Sequence, residues 1–230
     1  MFQISTFVPE VRFQFSQYLV RDDEPLLYHT GPRAMFGLVH AAVAEVIDPA
    51  TLRWISFSHF KADECGASSR QLQAAPVAQA ACGMVGVVSV DDQISRKARA
   101  LGDGEVLVTG KRRFRWISTA LSPWLGCRSP VQQPRRPSAR CCAQGPVPPD
   151  RRARAQHHRR HRRPLRLDLA GMRAGSFAGY IPYGKHTVAG LARLGALEPR
   201  TLLPMHGSSF TGDGAAALRG AGEVLARLLG

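Results

Sequence analysis

The chain has 230 residues, 44% of them hydrophobic and 21% charged, which is enough to bury the core of one domain. Its net charge of +14 resembles that of a nucleic-acid binder, but the charge is local: residues 128–166 hold twelve arginines against the single acid Asp150, net +11. The flanks are nearly neutral, with 13 basic and 12 acidic residues over 1–127 and 6 and 4 over 167–230, so two ordinary globular stretches are expected around one abnormal insert.

No apolar run approaches the roughly 18 residues of a membrane-spanning helix, so no membrane is expected as a partner. The opening MFQISTFVPEVRF has no basic start, apolar stretch or small-residue cleavage site, and five cysteines is an odd count. Both point to reduced thiols in a cytoplasmic setting.

Period-two character marks Val11–Val20 as a strand, and the turn Arg21–Pro25 leads to a second strand, Leu26–Tyr28, ending in His29-Thr30-Gly31. Pro32 opens a helix whose apolar face is Met35, Leu38, Val39, Ala42, Val43 and Ile47, closed by Asp48-Pro49. Trp54–Phe57 is a short buried strand that runs into the polar loop Ser58–Gly66. Further strands are expected at Val77–Cys82, Val106–Thr109, Phe114–Ile117 and Thr201–Met205. Helices are expected at Val188–Leu194 and Ala215–Leu229. Strands alternating with helices argue an α/β protein. Between Pro123 and Pro164 lie 8 of the 16 prolines and no Phe or Tyr, so that stretch is expected to be disordered.

The loop after the Trp54–Phe57 strand carries His59, Asp63 and Glu64, and His206 follows a second short apolar strand. Imidazole with carboxylates suits iron, zinc or manganese. Three weaker signals compete. The arginine-rich stretch 151–166, with His157, His158 and His161, could bind phosphates but lacks aromatics for base stacking. Gly179–Lys185 imitates a phosphate-binding loop, yet His186 stands where Ser or Thr is needed and Pro182 removes an N–H. Cys65 lies beside two acids, which would raise its thiol pKa rather than activate it.

Three segments, FSQYLVRDDEPLLYHTGPR, WISFSHFKADECGA and LEPRTLLPMHGSSFTGDG, resemble the metallo-β-lactamase fold. Within it they are similar to the oxygen-binding di-iron domains related to flavodiiron proteins. The resemblance covers about 11–118 and 180–215. It implies an α/β architecture, an αββα sandwich, as one domain over 1–230 interrupted by the low-complexity basic segment 118–175. It further implies His59 as a ligand of one metal and Asp63 and His206 as ligands of the other. Glu64 is a weaker ligand, standing where many relatives have His.

The implied cofactor is a di-iron centre, or alternatively zinc. The implied activity is oxygen binding or reduction with an external electron donor. No FMN is expected on this chain, because no flavodoxin-like region follows Gly230. A zinc hydrolase using metal-bound hydroxide on a small-molecule substrate is the first alternative. Nucleic-acid binding through 128–166 is the alternative from another class, and self-association into a homo-oligomer stays open.

Two departures from the family pattern leave the implied ligand set incomplete. Lys61 occupies the glutamate position of His-x-Glu-x-Asp, placing an ammonium where a carboxylate would hold a cation. The middle His and bridging Asp have no counterpart, since Asp150 and Asp168 lie in unrelated contexts. The coding DNA offers an explanation: Pro123–Ser129 can be encoded so that the shifted phase reads His-Gly-Trp-Asp-Ala-Gly, and Gly145–Pro148 so that it reads Asp-Leu-Phe. Residues 117–175 are therefore expected to be an out-of-frame reading, leaving a protein impaired by incomplete ligands.

Overall fold

The computed structural model describes residues 1–11, 13–122, 125–133 and 183–229. Six strands lie side by side in chain order: β1 (Phe2–Val8), β2 (Phe13–Val20), β3 (Leu26–Tyr28), β4 (Trp54–Ser56), β5 (Gln79–Gly83) and β6 (Arg99–Leu101). β1, β2 and β3 pair antiparallel, with Phe2 opposite Leu19 and Tyr18 opposite Tyr28. β3 through β6 pair parallel, with Tyr28 beside Ser56 and Ser56 beside Ala81. Parallel neighbours need crossovers, supplied by α1 (Phe36–Ala44), then α2 (Ala62–Cys65) with α3 (Ser68–Ala74), then α4 (Met84–Val90).

The central strands read as continuous apolar runs because both faces of the sheet are covered. Leu19, Leu27, Ile55, Ala80 and Cys82 face one core with Val39, Val43, Leu72 and Val87 from the helices. Their neighbours Tyr18, Val20, Leu26, Tyr28, Trp54 and Ala81 face a second core with Leu107, Phe114 and Trp116. That second core is closed by an antiparallel sheet of β7 (Val106–Val108), β8 (Arg113–Ser122) and β9 (Leu125–Gln133). On its far side α5 (Lys185–Gly195) packs against β8 and against α6 (Gly214–Leu229). Gly190 permits this approach, since a Cβ there would sit 3.3 Å from Thr119 Cβ. The layers run helix, sheet, sheet, helix, the αββα sandwich of the metallo-β-lactamase fold.

Asp22 ties the sheets together. Its carboxylate accepts from Thr109 Oγ1–H (2.9 Å) and from the amides of Lys111 (3.1 Å) and Arg112 (2.8 Å), while Glu24 N–H donates to Thr109 O (2.9 Å).

Several elements differ from the sequence expectations. β1 went unread, although its side chains alternate between half-buried and exposed. The loop after β4 contains α2, and α4 forms from the β-branched run Met84–Val90, with Val87 and Val90 buried one turn apart. β9 lies where no regular structure was expected. The strand expected over Thr201–Met205 stops as β10 at Leu202, pairing with β11 (Phe210–Thr211). Pro204 cannot donate to a ladder, and Met205 O instead accepts from Ser16 N–H of β2 at 2.8 Å. The histidine cluster at 157–161 and the Gly179–Pro182 part of the phosphate-loop imitation lie outside the described residues. So does most of the segment expected to be out of frame. No helix among the described residues is long and apolar enough to cross a membrane.

Candidate metal centre

In a parallel sheet the carboxyl ends of the strands open onto loops where polar groups gather. Here β3 and β4 end together. His29 follows β3, and Ser58 and His59 follow β4, with His29 N–H donating to Ser56 O at 2.7 Å. The α2 turn folds back onto this end: Thr30 N–H donates to Glu64 O (2.8 Å) and Ala67 N–H to Gly31 O (3.1 Å). The return is tight at Gly66, where a Cβ would lie 2.3 Å from Ala62 O.

Two acid–imidazole pairs result. In the first, Asp63 Oδ2 lies 3.0 Å from His206 Nε2, each side chain about one-third exposed. The other ring nitrogen of His206 donates to the backbone oxygen of Gln14 at 2.9 Å. Phe13 and Phe15 flank the ring, with centroids 4.4 and 5.5 Å away. The hydrogen bond from His206 holds the Asp63 carboxyl below its ordinary value. Burial alone would lower the His206 pKa, but the bonds to Asp63 and Gln14 outweigh it and raise it.

The second pair is Glu64 with His59. His59 Nδ1 lies 2.9 Å from Glu64 Oε1, and the His59 amide donates to Glu64 Oε2 at 2.7 Å. Ser58 Oγ–H donates to the same Oε2. Burial opposes the ionised form of Glu64, yet these donors and the nearby histidines pull its pKa down to about 2. The carboxylate is thus ionised at neutral pH.

His29 stands behind this pair, 3% exposed, with a left-handed φ of 62°. Its Nδ1 is 3.4 Å from Glu64 Oε2 without forming a hydrogen bond. Burial pushes its pKa down to about 4, so the ring is neutral and the contact is not an ion pair. His29 is not among the residues that the sequence pattern singles out. Its only signal was a histidine at the end of a buried strand before Thr-Gly, which is equally the mark of a core residue.

All four residues singled out from the sequence, His59, Asp63, Glu64 and His206, lie at this end of the sheet. They form two pairs rather than one cluster. Among the described residues, no three His, Cys, Asp or Glu side chains are arranged to hold a metal ion. The Asp63–His206 pair suits a cation: one imidazole nitrogen is backed by a carbonyl, as metal-bound histidines are, and the other shares its direction with a carboxylate. The Glu64 oxygens, by contrast, already accept three hydrogen bonds, and Lys61 brings a positive charge between His59 and Asp63 in sequence. The described donors do not assemble a dinuclear centre. Cys65 is no nucleophile: burial raises its thiol to about 12, and Sγ donates to Lys61 O at 3.1 Å.

No family model and no curated protein matches the chain. Solved structures do. A flavoprotein of Thermotoga maritima superposes with a TM-score of 0.69 at 15% identity, over 95% of this chain and 56% of its own, and a flavo di-iron protein mutant of the same organism gives 0.68 at 16%, over 91% and 53%. Rubredoxin:oxygen oxidoreductase of Desulfovibrio gigas gives 0.68 at 19%, over 92% and 53%. A B3 metallo-β-lactamase described as having an active-site glutamic acid gives 0.62 at 16%, over 94% and 84%. These likenesses establish the metallo-β-lactamase fold. The chain spans about half the length of the flavo di-iron structures it matches.

Proposed function

We propose that this protein is a metal-binding domain of the oxygen-binding di-iron type, reduced to one cation site and impaired for oxygen reduction. The observation that carries the reading is the 3.0 Å approach of His206 Nε2 to Asp63 Oδ2, with His206 anchored on Gln14 O. Asp63 and His206 would hold the cation, and one-third exposure of both leaves room for water as further ligands. A bound iron would supply the capacity to bind oxygen, and a bound zinc the capacity to activate water. The chain's own residues orient the donors and keep one carboxylate ionised. Glu64 and Lys61 speak against a second metal. The likeness to flavodiiron structures favours iron over zinc, and an external electron donor belongs to the same proposal.

The test is equilibrium binding of ferrous iron and of zinc to the full chain, with bound metal counted per chain. One equivalent is expected, lost in Asp63→Ala and His206→Ala. Two equivalents, or binding unchanged in both variants, would overturn the reading. The frame of residues 117–175 is tested separately by resequencing codons 115–180.

A further inference from the structure

Glu64 is five positions from His59 and buried, with a side chain only 7% exposed. A carboxylate has lone pairs and no proton to give, so every short contact it makes identifies a donor. Oε2 takes the Ser58 hydroxyl proton and the His59 backbone proton, and Oε1 faces His59 Nδ1 at 2.9 Å. The proton of that last contact must therefore sit on Nδ1. In the neutral ring the lone pair is then on Nε2.

His206 differs in one respect. Its Nδ1 donates to Gln14 O at 2.9 Å, since a backbone carbonyl can only accept, and by the same rule its Nε2–H donates to Asp63 Oδ2 at 3.0 Å. In both imidazoles the Nδ1 proton is thus set by an oxygen behind it. Holding the tautomer and the ring direction of a metal-binding histidine is the usual work of such a partner.

We propose that Glu64 is a positioning residue, the carboxylate that fixes His59 as its Nδ1–H tautomer, rather than a metal ligand. Glu64 is in turn set by α2: its own amide donates to Lys61 O (3.0 Å), its carbonyl accepts from Thr30 N–H (2.8 Å), and Ser58 closes the remaining side. This deepens, and rests on, the metal-binding reading above, which gives the cation to Asp63 and His206 and leaves Glu64 outside the ligand set.

The experiment has two arms on the full chain. The first needs no metal: long-range nitrogen–proton NMR of the imidazoles identifies which ring nitrogen of His59 is protonated. Nδ1–H is expected in the wild type; in Glu64→Gln the amide oxygen takes the Oε2 position facing Ser58 O–H and the His59 amide, its NH2 faces Nδ1, and the preference should invert to Nε2–H, while Glu64→Leu should show no such preference. The second arm titrates zinc chloride. Glu64→Gln should stay within about threefold of wild type, because Glu64 does not hold the cation, whereas loss of a ligating carboxylate would cost about tenfold or more. Nε2–H in the wild type would overturn the proposal, as would a zinc affinity about tenfold weaker in Glu64→Gln. Should the wild type bind no zinc, the metal-binding reading fails, and the first arm still decides what Glu64 does to His59.

Discussion

His206 and Asp63 stand 143 positions apart in sequence and meet at 3.0 Å, at the end of the sheet where β3 and β4 stop. Neither strand nor helix carries His206 there. The segment after β10 is drawn along β2 by two bonds, Ser16 N–H to Met205 O (2.8 Å) and Tyr18 O–H to Pro204 O (2.6 Å). The site is therefore an edge contact between the first and last parts of the chain. Tyr18→Phe should loosen that edge, leaving the core intact but weakening metal binding several-fold, as read by zinc titration with circular dichroism as a control for the fold.

Gln17 is fully buried on β2, and neither its amide nitrogen nor its amide oxygen has a hydrogen-bond partner among the described residues. A buried amide without partners costs roughly 1–3 kcal/mol. Gln17→Met keeps the volume and removes the polar atoms, so it should raise stability by about 1 kcal/mol in urea unfolding. A loss of stability would mean that water or another polar group satisfies the amide.

Gly66 is required by the backbone of α2 rather than by its own dihedral angles, since a Cβ would meet Ala62 O at 2.3 Å and Arg33 N at 3.1 Å. Gly66→Ala must displace one of two main-chain segments, at a cost of about 1–3 kcal/mol. Because α2 carries Asp63 and Glu64, metal affinity should fall alongside the urea midpoint.

Asp22 gives a pH signature remote from the site. Burial acts to raise its pKa, but hydrogen bonds from Lys111, Thr109 and Arg112 win and bring it below the usual 3.8. A carboxyl whose folded pKa is depressed contributes stability that is complete above its unfolded value and is lost as pH falls through the folded value. Asp22→Asn should therefore be less stable than wild type at pH 7. The gap between the two should close below pH 3.8, measured as urea midpoints across the acid range.

The sheet and its first helix were legible because burial on both faces leaves apolar runs that local pattern detects, as in Leu26–Tyr28 and Trp54–Ser56. α4 was not, because Val85, Val87 and Val88 favour strands and only packing of Val87 and Val90 against the sheet makes the segment helical. His59, Asp63, Glu64 and His206 could be named from spacing and resemblance. Their division into two pairs could not, since it depends on Ser58 and the His59 amide reaching Glu64. His29 was invisible for a related reason: its neutrality and its left-handed backbone are products of burial, not of sequence.

The most direct test of the single-site account is cobalt(II) titration of the full chain, followed by its visible absorption, beside the His206→Ala and Asp63→Ala variants. The account predicts d–d bands that saturate at one equivalent in the wild type and are absent from both variants. Bands that persist without His206, or that climb to two equivalents, would contradict it.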